Sequence, residues 1–215
     1  MQRTKRVMPA LWALVAWTLG PVLFTVPAQA TTLYTNGPIS GQLGGVGLYS
    51  PNAVSEAFKL GDGTTILSVT FGEWAVDGAA LGNVDWSIGS AVYGSDLGSA
   101  TGVSPTASLF CAAGGGCGDG VYDVYASSFT LDLALPAGTY WLTLQNATAS
   151  AGLVFWDING GPSLDETTCC GSAFPSESFT IAGTVPEPGN LGLVGAGLIL
   201  LLAAGLRRAS RHFAC

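Results

Sequence analysis

The sequence predicts an all-β ectodomain, an antiparallel β-sandwich of jelly-roll type. Three observations predict it. Eight or nine short runs between Thr31 and Thr184 alternate apolar and polar residues with a period of two. Clusters of Gly, Pro, Asn, Asp and Ser separate those runs at near-regular spacing. Across this segment no helical apolar stripe stands out, and no repeat period points to a β-helix.

The elements follow in order. Leu33-Tyr34 opens the domain before the turn Asn36-Gly37-Pro38. The glycine-rich stretch Gly41 to Gly47 lacks the Lys-Ser/Thr of a phosphate loop and has no helix after it. Ala53 to Leu60 is compatible with a short helix or a strand. Thr64 to Trp74 is a strand with Leu67, Val69 and Phe71 on one face, and Asn83 to Gly89 another with Val84, Trp86 and Ile88. Ala91 to Tyr93 is read as the partner or continuation of the latter, and Ser95 to Pro105 as loosely written. Ser108 to Phe110 leads into a cysteine–glycine loop, and Val121 to Tyr125 is a strand. Ser128 to Leu135 turns Phe129, Leu131, Leu133 and Leu135 inward. After Pro136-Ala137-Gly138, Thr139 to Asn146 does so with Tyr140, Leu142 and Leu144, and the two read as a hairpin. Leu153 to Ile158 and Ser178 to Gly183 complete the set.

Charge limits the partners. The segment Thr31 to Val185 holds thirteen acidic residues against Lys59 alone, a formal charge of −12. Such a surface repels nucleic acid and anionic headgroups, leaving neutral polysaccharides, cations and proteins. It has no histidine, which removes Ser-His-Asp, Cys-His and His-based zinc arrangements. Thirteen carboxylates guarantee some pair within catalytic range, but none lies in a hydrolase motif, so the reading is non-enzymatic. Cys111, Cys117, Cys169 and Cys170 suit an oxidising compartment; their three possible connectivities stay open.

The ends supply a route. Residues 1–30 have the form of a signal peptide: a positive region with Arg3, Lys5 and Arg6, an apolar run to Phe24, and the small-x-small site Ala28-Gln29-Ala30. Cleavage by signal peptidase after Ala30 would leave Thr31 first. Residues 31–184 form the ectodomain, and residues 185–215 carry three features in fixed order. Pro186-Glu187-Pro188 stays extended because proline fixes φ and lacks an N–H. Leu191 to Leu206 is uncharged and reaches roughly 24 Å as a transmembrane helix, short of a hydrocarbon core of about 30 Å. Arg207, Arg208 and Arg211 follow and favour the cytoplasmic side.

This order resembles the PEP-CTERM sorting signal of exosortase substrates. The resemblance implies an exported precursor anchored in the inner membrane of a Gram-negative, exopolysaccharide-producing bacterium. It further implies processing by an exosortase near Pro186-Glu187-Pro188 and transfer to the cell surface or extracellular matrix. The phrase Gly138 to Leu144 followed by Phe155-Trp156-Asp157 and Gly161-Pro162 looks like ectodomains often carried by such proteins, which bears on fold.

Two further sets are binding candidates. Trp74, Trp86, Trp141 and Trp156 include possible platforms for matrix polysaccharide. Trp86 shares the phase of Val84 and Ile88 and reads as core. Trp141 is out of phase with Tyr140, Leu142 and Leu144, and Trp156 with Phe155, although Val154 and Ile158 are apolar too. These two are the platform candidates, with core or inter-sheet packing the preferred account of the set. Asp157, Asn159 and Asp165 offer oxygen ligands for a structural calcium on a Gly-containing loop, without EF-hand spacing. The preferred reading there is a solvated acidic loop with no cofactor.

Overall fold

The computed structural model describes residues 30–163, 166–168 and 175–186, together with positions 195, 197 and 199. It is all-β, built from two antiparallel sheets. The strands, in chain order, are β1 (Thr31–Thr35), β2 (Gly45–Gly47), β3 (Ala53–Leu60), β4 (Thr64–Val76), β5 (Val84–Gly89) and β6 (Gly98–Val103). They continue with β7 (Thr106–Cys111), β8 (Tyr122–Leu135), β9 (Gly138–Gln145), β10 (Phe155–Asp157), β11 (Glu166–Thr167) and β12 (Phe179–Thr184).

The first sheet is organised on β4. One edge of β4 is taken over its whole length by β8, which also carries β7. The opposite edge is divided: β12 pairs with residues 65–71, and β10 takes Glu73 and Trp74. Beyond these lie β1, on β12, and β2, on β10. The second sheet has the order β11-β3-β9-β5-β6.

Period-two alternation explains the layers, since each strand turns one phase towards the other sheet. Val54, Phe58, Ile88, Leu142 and Leu144 of the second sheet share one buried cluster with Ile66, Val69, Phe71 and Phe179 of the first. Trp86 of β5 stacks on Phe129 of β8, with centroids 5.5 Å apart and planes 11° apart. Trp86 is thus core, as its phase implies.

Several expectations change. Ala53–Leu60 is a strand, in register with β9 along its length. A register shift between Ile66 and Ser68 puts Ile66 in the core and leaves Leu67 half-buried. Residues 91–93 are a turn; the hairpin partner of β5 is β6, inside the stretch read as loose. Val121–Tyr125 and Ser128–Leu135 merge into β8.

The expected hairpin of residues 128–135 with 139–146 does not form. β8 pairs with β4 and β7, whereas β9 pairs with β3 and β5. Their apolar stripes face each other across the core instead of lying side by side. Pro136 has no N–H to give a hairpin ladder. The corner is held instead by the Tyr140 hydroxyl, which donates to the Pro136 carbonyl at 2.9 Å.

Cys111 and Cys117 stand at disulfide-bonding distance, with Cα atoms 6.3 Å apart. That is one of the open connectivities; Cys169 and Cys170 lie outside the described residues. So do the signal region through residue 29 with Ala28, and Glu187, Pro188, Arg207 and Arg208. Of the expected membrane span, only Gly195, Gly197 and Ile199 are described, each helical. Among the described residues no helix is long and apolar enough to cross a membrane.

Candidate functional site: a hydroxyl-lined groove on the second sheet

Strands that bury one phase expose the other, so the outward phase of the second sheet decides what it can touch. Pairing brings Ser55 of β3 opposite Thr143 of β9, Thr143 opposite Ser87 of β5, and Ser87 opposite Ser99 of β6. Four hydroxyl residues therefore form one row across four strands. The next row holds Ala53, Gln145 and Asp85. Thr143, Ser87 and Ser99 of the first row and all three residues of the second line a groove of about 500 Å³ whose lining also includes Trp86, Tyr93, Ser95, Pro51 and Thr168. Ser55 is buried, its hydroxyl 2.9 Å from that of Thr143.

The loop between β5 and β6 shapes the groove. Tyr93 has φ of 56°, a left-handed conformation costly for an aromatic residue. Its N–H donates to Ser55 Oγ at 3.2 Å, and Ser87 Oγ donates to the Gly94 carbonyl at 3.0 Å. Gly89 lets the loop lie this close, because a Cβ there would fall 2.4 Å from the Gly94 carbonyl carbon. At the base of the loop the Ser90 N–H and hydroxyl donate to Asp96 at 3.0 and 2.8 Å. Those bonds, the backbone one first, hold its carboxyl below the ordinary range.

The groove is polar without being strongly charged. Among the described residues its lining contains one carboxylate, Asp85. Asp85 accepts from the Gly102 N–H at 2.7 Å and from Asn146 Nδ2 at 2.8 Å. Small hydroxyls, the Gln145 amide and the aromatic rings of Tyr93 and Trp86 suit the alternating polar edges and C–H faces of a neutral sugar.

The candidate tryptophans separate. Trp141 lies one row along, between Ala57 and Gly89 on the outward face, half-buried and beside the groove rather than in its lining. Trp156 is corrected: it is wholly buried in the main core, and its indole N–H donates to the Ser178 carbonyl at 2.9 Å. It cannot serve as a platform. Trp74, on the outward face of the first sheet, is also buried.

Asp157 and Asn159 are not on a solvated loop. Asp157 is wholly buried, and its carboxylate accepts from Ser40 N at 2.7 Å, Gly41 N at 2.9 Å, Trp74 Nε1 at 2.8 Å and Ser40 Oγ at 3.4 Å. Asn159 Nδ2 donates to the carbonyls of Asn36 and Pro38, and its Oδ1 accepts from the Gly161 N–H. Both side chains tie the 36–41 segment to β10. Asp165, the third member of the candidate calcium set, lies outside the described residues.

Sequence reading missed the hydroxyl row and Tyr93. The signal lies in the polar phases of AVSEAFKL, VDWSIG and WLTLQ, each of which carries one small hydroxyl. No protein-family model matches the chain, and no curated protein does.

Proposed function

We propose that the chain is an exported surface or extracellular-matrix protein of a Gram-negative, exopolysaccharide-producing bacterium. Its signal peptide is removed after Ala30, its C-terminal helix anchors it in the inner membrane, and an exosortase processes it near Pro186-Glu187-Pro188. It has no catalysis of its own. The observation that supports this reading is where the fold stops. β1 begins at Thr31, and β12 ends at Thr184, two residues before Pro186. Thr31 lies opposite Gly183 in the β1–β12 pairing. Thr31 and Thr184 thus lie at the same end of the sandwich, next to the two expected processing points. Mass analysis of the protein from its host, with and without the exosortase, tests it. The expected result is loss of everything beyond the Pro-Glu-Pro region only when the enzyme is present. A chain ending at Cys215 in both strains overturns it.

The groove favours a second element, binding of neutral matrix polysaccharide by the sandwich. Tyr93 is its aromatic contact, and Thr143 with Gln145 its polar floor. Tyr93→Ala is expected to weaken retention on a gel of the host polysaccharide about tenfold, the scale of one lost stacking ring. Trp141→Ala, beside the groove, should change it less than twofold. The reverse ranking would move the binding surface to the Trp141 row.

A further inference from the structure

The outward face of the first sheet carries a different arrangement, and it lies outside the groove. Three neighbouring strands present Trp74 of β4, Tyr122 of β8 and Phe155 of β10 on that face, and the rings touch. Trp74 and Tyr122 have centroids 6.0 Å apart with planes at 46°, and Tyr122 and Phe155 are 5.6 Å apart at 77°. Together with Gly44, Gly45 and Asp119 they line a pocket of about 240 Å³. Trp74 is its buried floor, while Tyr122 and Phe155 are partly open.

Three features define what the pocket accepts. The rings are tilted and edge-on to one another, so they make walls around a compact group; they do not make the flat shelf that a sugar ring stacks on. Negative ring faces attract a cation. Among the described residues the one charged side chain in the lining is a carboxylate, Asp119. Its turn is unusual: Gly118, Asp119 and Gly120 all have positive φ, of 66°, 51° and 73°. A left-handed non-glycine residue between two left-handed glycines is costly, and the chain entering the turn is tied down. Gly118 N–H donates to the Gly41 carbonyl at 2.9 Å, and the disulfide closes the loop just before the turn. Cys117 itself packs on Trp74 and Val124.

We propose that this pocket binds an alkylated ammonium group, with Tyr122, Phe155 and Trp74 as the cage and Asp119 as counter-charge. The −12 domain draws cations towards it. Polarised aromatic walls with one carboxylate then select an alkylated cation over a strongly hydrated metal ion. The ammonium group belongs to a glycan substituent or a lipid headgroup; the chemistry at the pocket is the same.

The test uses the full chain in an uncharged, sugar-free detergent, with tetramethylammonium as probe and its single methyl proton resonance as the readout. Saturable broadening is expected, with tert-butanol, the neutral probe of similar shape, failing to compete. Asp119→Asn should weaken binding about fivefold, and asparagine tolerates the left-handed turn, so the fold is kept. Phe155→Leu should weaken it by about as much. Asp132→Asn, an exposed acid elsewhere on β8, should leave it unchanged. Three results overturn the proposal: equal competition by tert-butanol, equal loss in Asp132→Asn and Asp119→Asn, or displacement by neutral monosaccharides. Competition by a choline-substituted glycan fragment against phosphocholine-headed vesicles then separates the two sources.

Discussion

Asp157 and Glu73 are both buried acids on paired strands, and they are solvated in opposite ways. Glu73 lies opposite Trp156 in the β4–β10 pairing, so it faces the core, while Asp157, one residue on, faces outward. Asp157 receives two backbone N–H groups, an indole N–H and a hydroxyl. Glu73 has the Ser127 hydroxyl as polar neighbour, and neither its Oε2 nor Ser127 Oγ has a hydrogen-bond partner at bonding geometry among the described residues. Burial with so little compensation pushes the Glu73 carboxyl up from 4.5 to about 7. Burial alone does not set the cost of an acid inside a sandwich. The number of donors brought to it does.

The comparison breaks most readily at Asp157. Asp157→Ala strands the Ser40 and Gly41 N–H groups and the Trp74 indole together, and unties the 36–41 segment from β10. A loss of about 3–5 kcal/mol is expected, read as a lower denaturant midpoint. A loss near 1 kcal/mol would mean that those donors find other partners and that the saturated carboxylate is not what holds this end of the sheet.

Glu73 gives the next largest effect, and this one depends on pH. Below about pH 4.5 the group is protonated in both the folded and unfolded chain. Between about 4.5 and 7 the unfolded chain gives up the proton while the folded one keeps it, so folding stability falls as pH rises. Above about 7 the deficit levels off near 3 kcal/mol. Glu73→Gln should flatten this fall, and urea midpoints at pH 4.5, 6 and 8 would read it. An unchanged slope would place the titration elsewhere.

These two residues also mark how far the sequence is legible. The two-period runs gave the all-β class and most inward faces, because alternation is local. The donors of Asp157 come from positions 117, 116 and 83 residues away, so nothing near it separates a buried hub from an exposed loop acid. Trp156 stays a platform candidate in the sequence for the same reason: its neighbours are apolar on both phases, and only the division of β4 between β12 and β10 decides which face is core. The groove is an intermediate case. Its hydroxyls are visible strand by strand, but their alignment into one row depends on the order β3-β9-β5-β6. The expected β8–β9 hairpin would have put β9 beside β8 and dispersed that row.

The smallest effect separates the two acids most sharply, because it removes one hydroxyl from each. Ser40→Ala removes a hydroxyl whose single proton lies between the Ile158 carbonyl at 2.6 Å and Asp157 Oδ1 at 3.4 Å, and leaves the three N–H donors to Asp157. The expected cost is about 1 kcal/mol across the neutral range. Ser127→Ala acts differently. Its hydroxyl favours the charged form of Glu73, so its loss raises the carboxyl further. Below pH 6, where folded Glu73 is protonated, that contribution is absent and the variant should match the parent. At pH 8 to 9 the parent's Glu73 is ionised, and the variant should be less stable by about 1 kcal/mol. Parallel stability curves for Ser127→Ala and its parent from pH 5 to 9 would show that the hydroxyl does not report on the charge. The contrast with Asp157 would then rest on burial and the orphaned Oε2 alone.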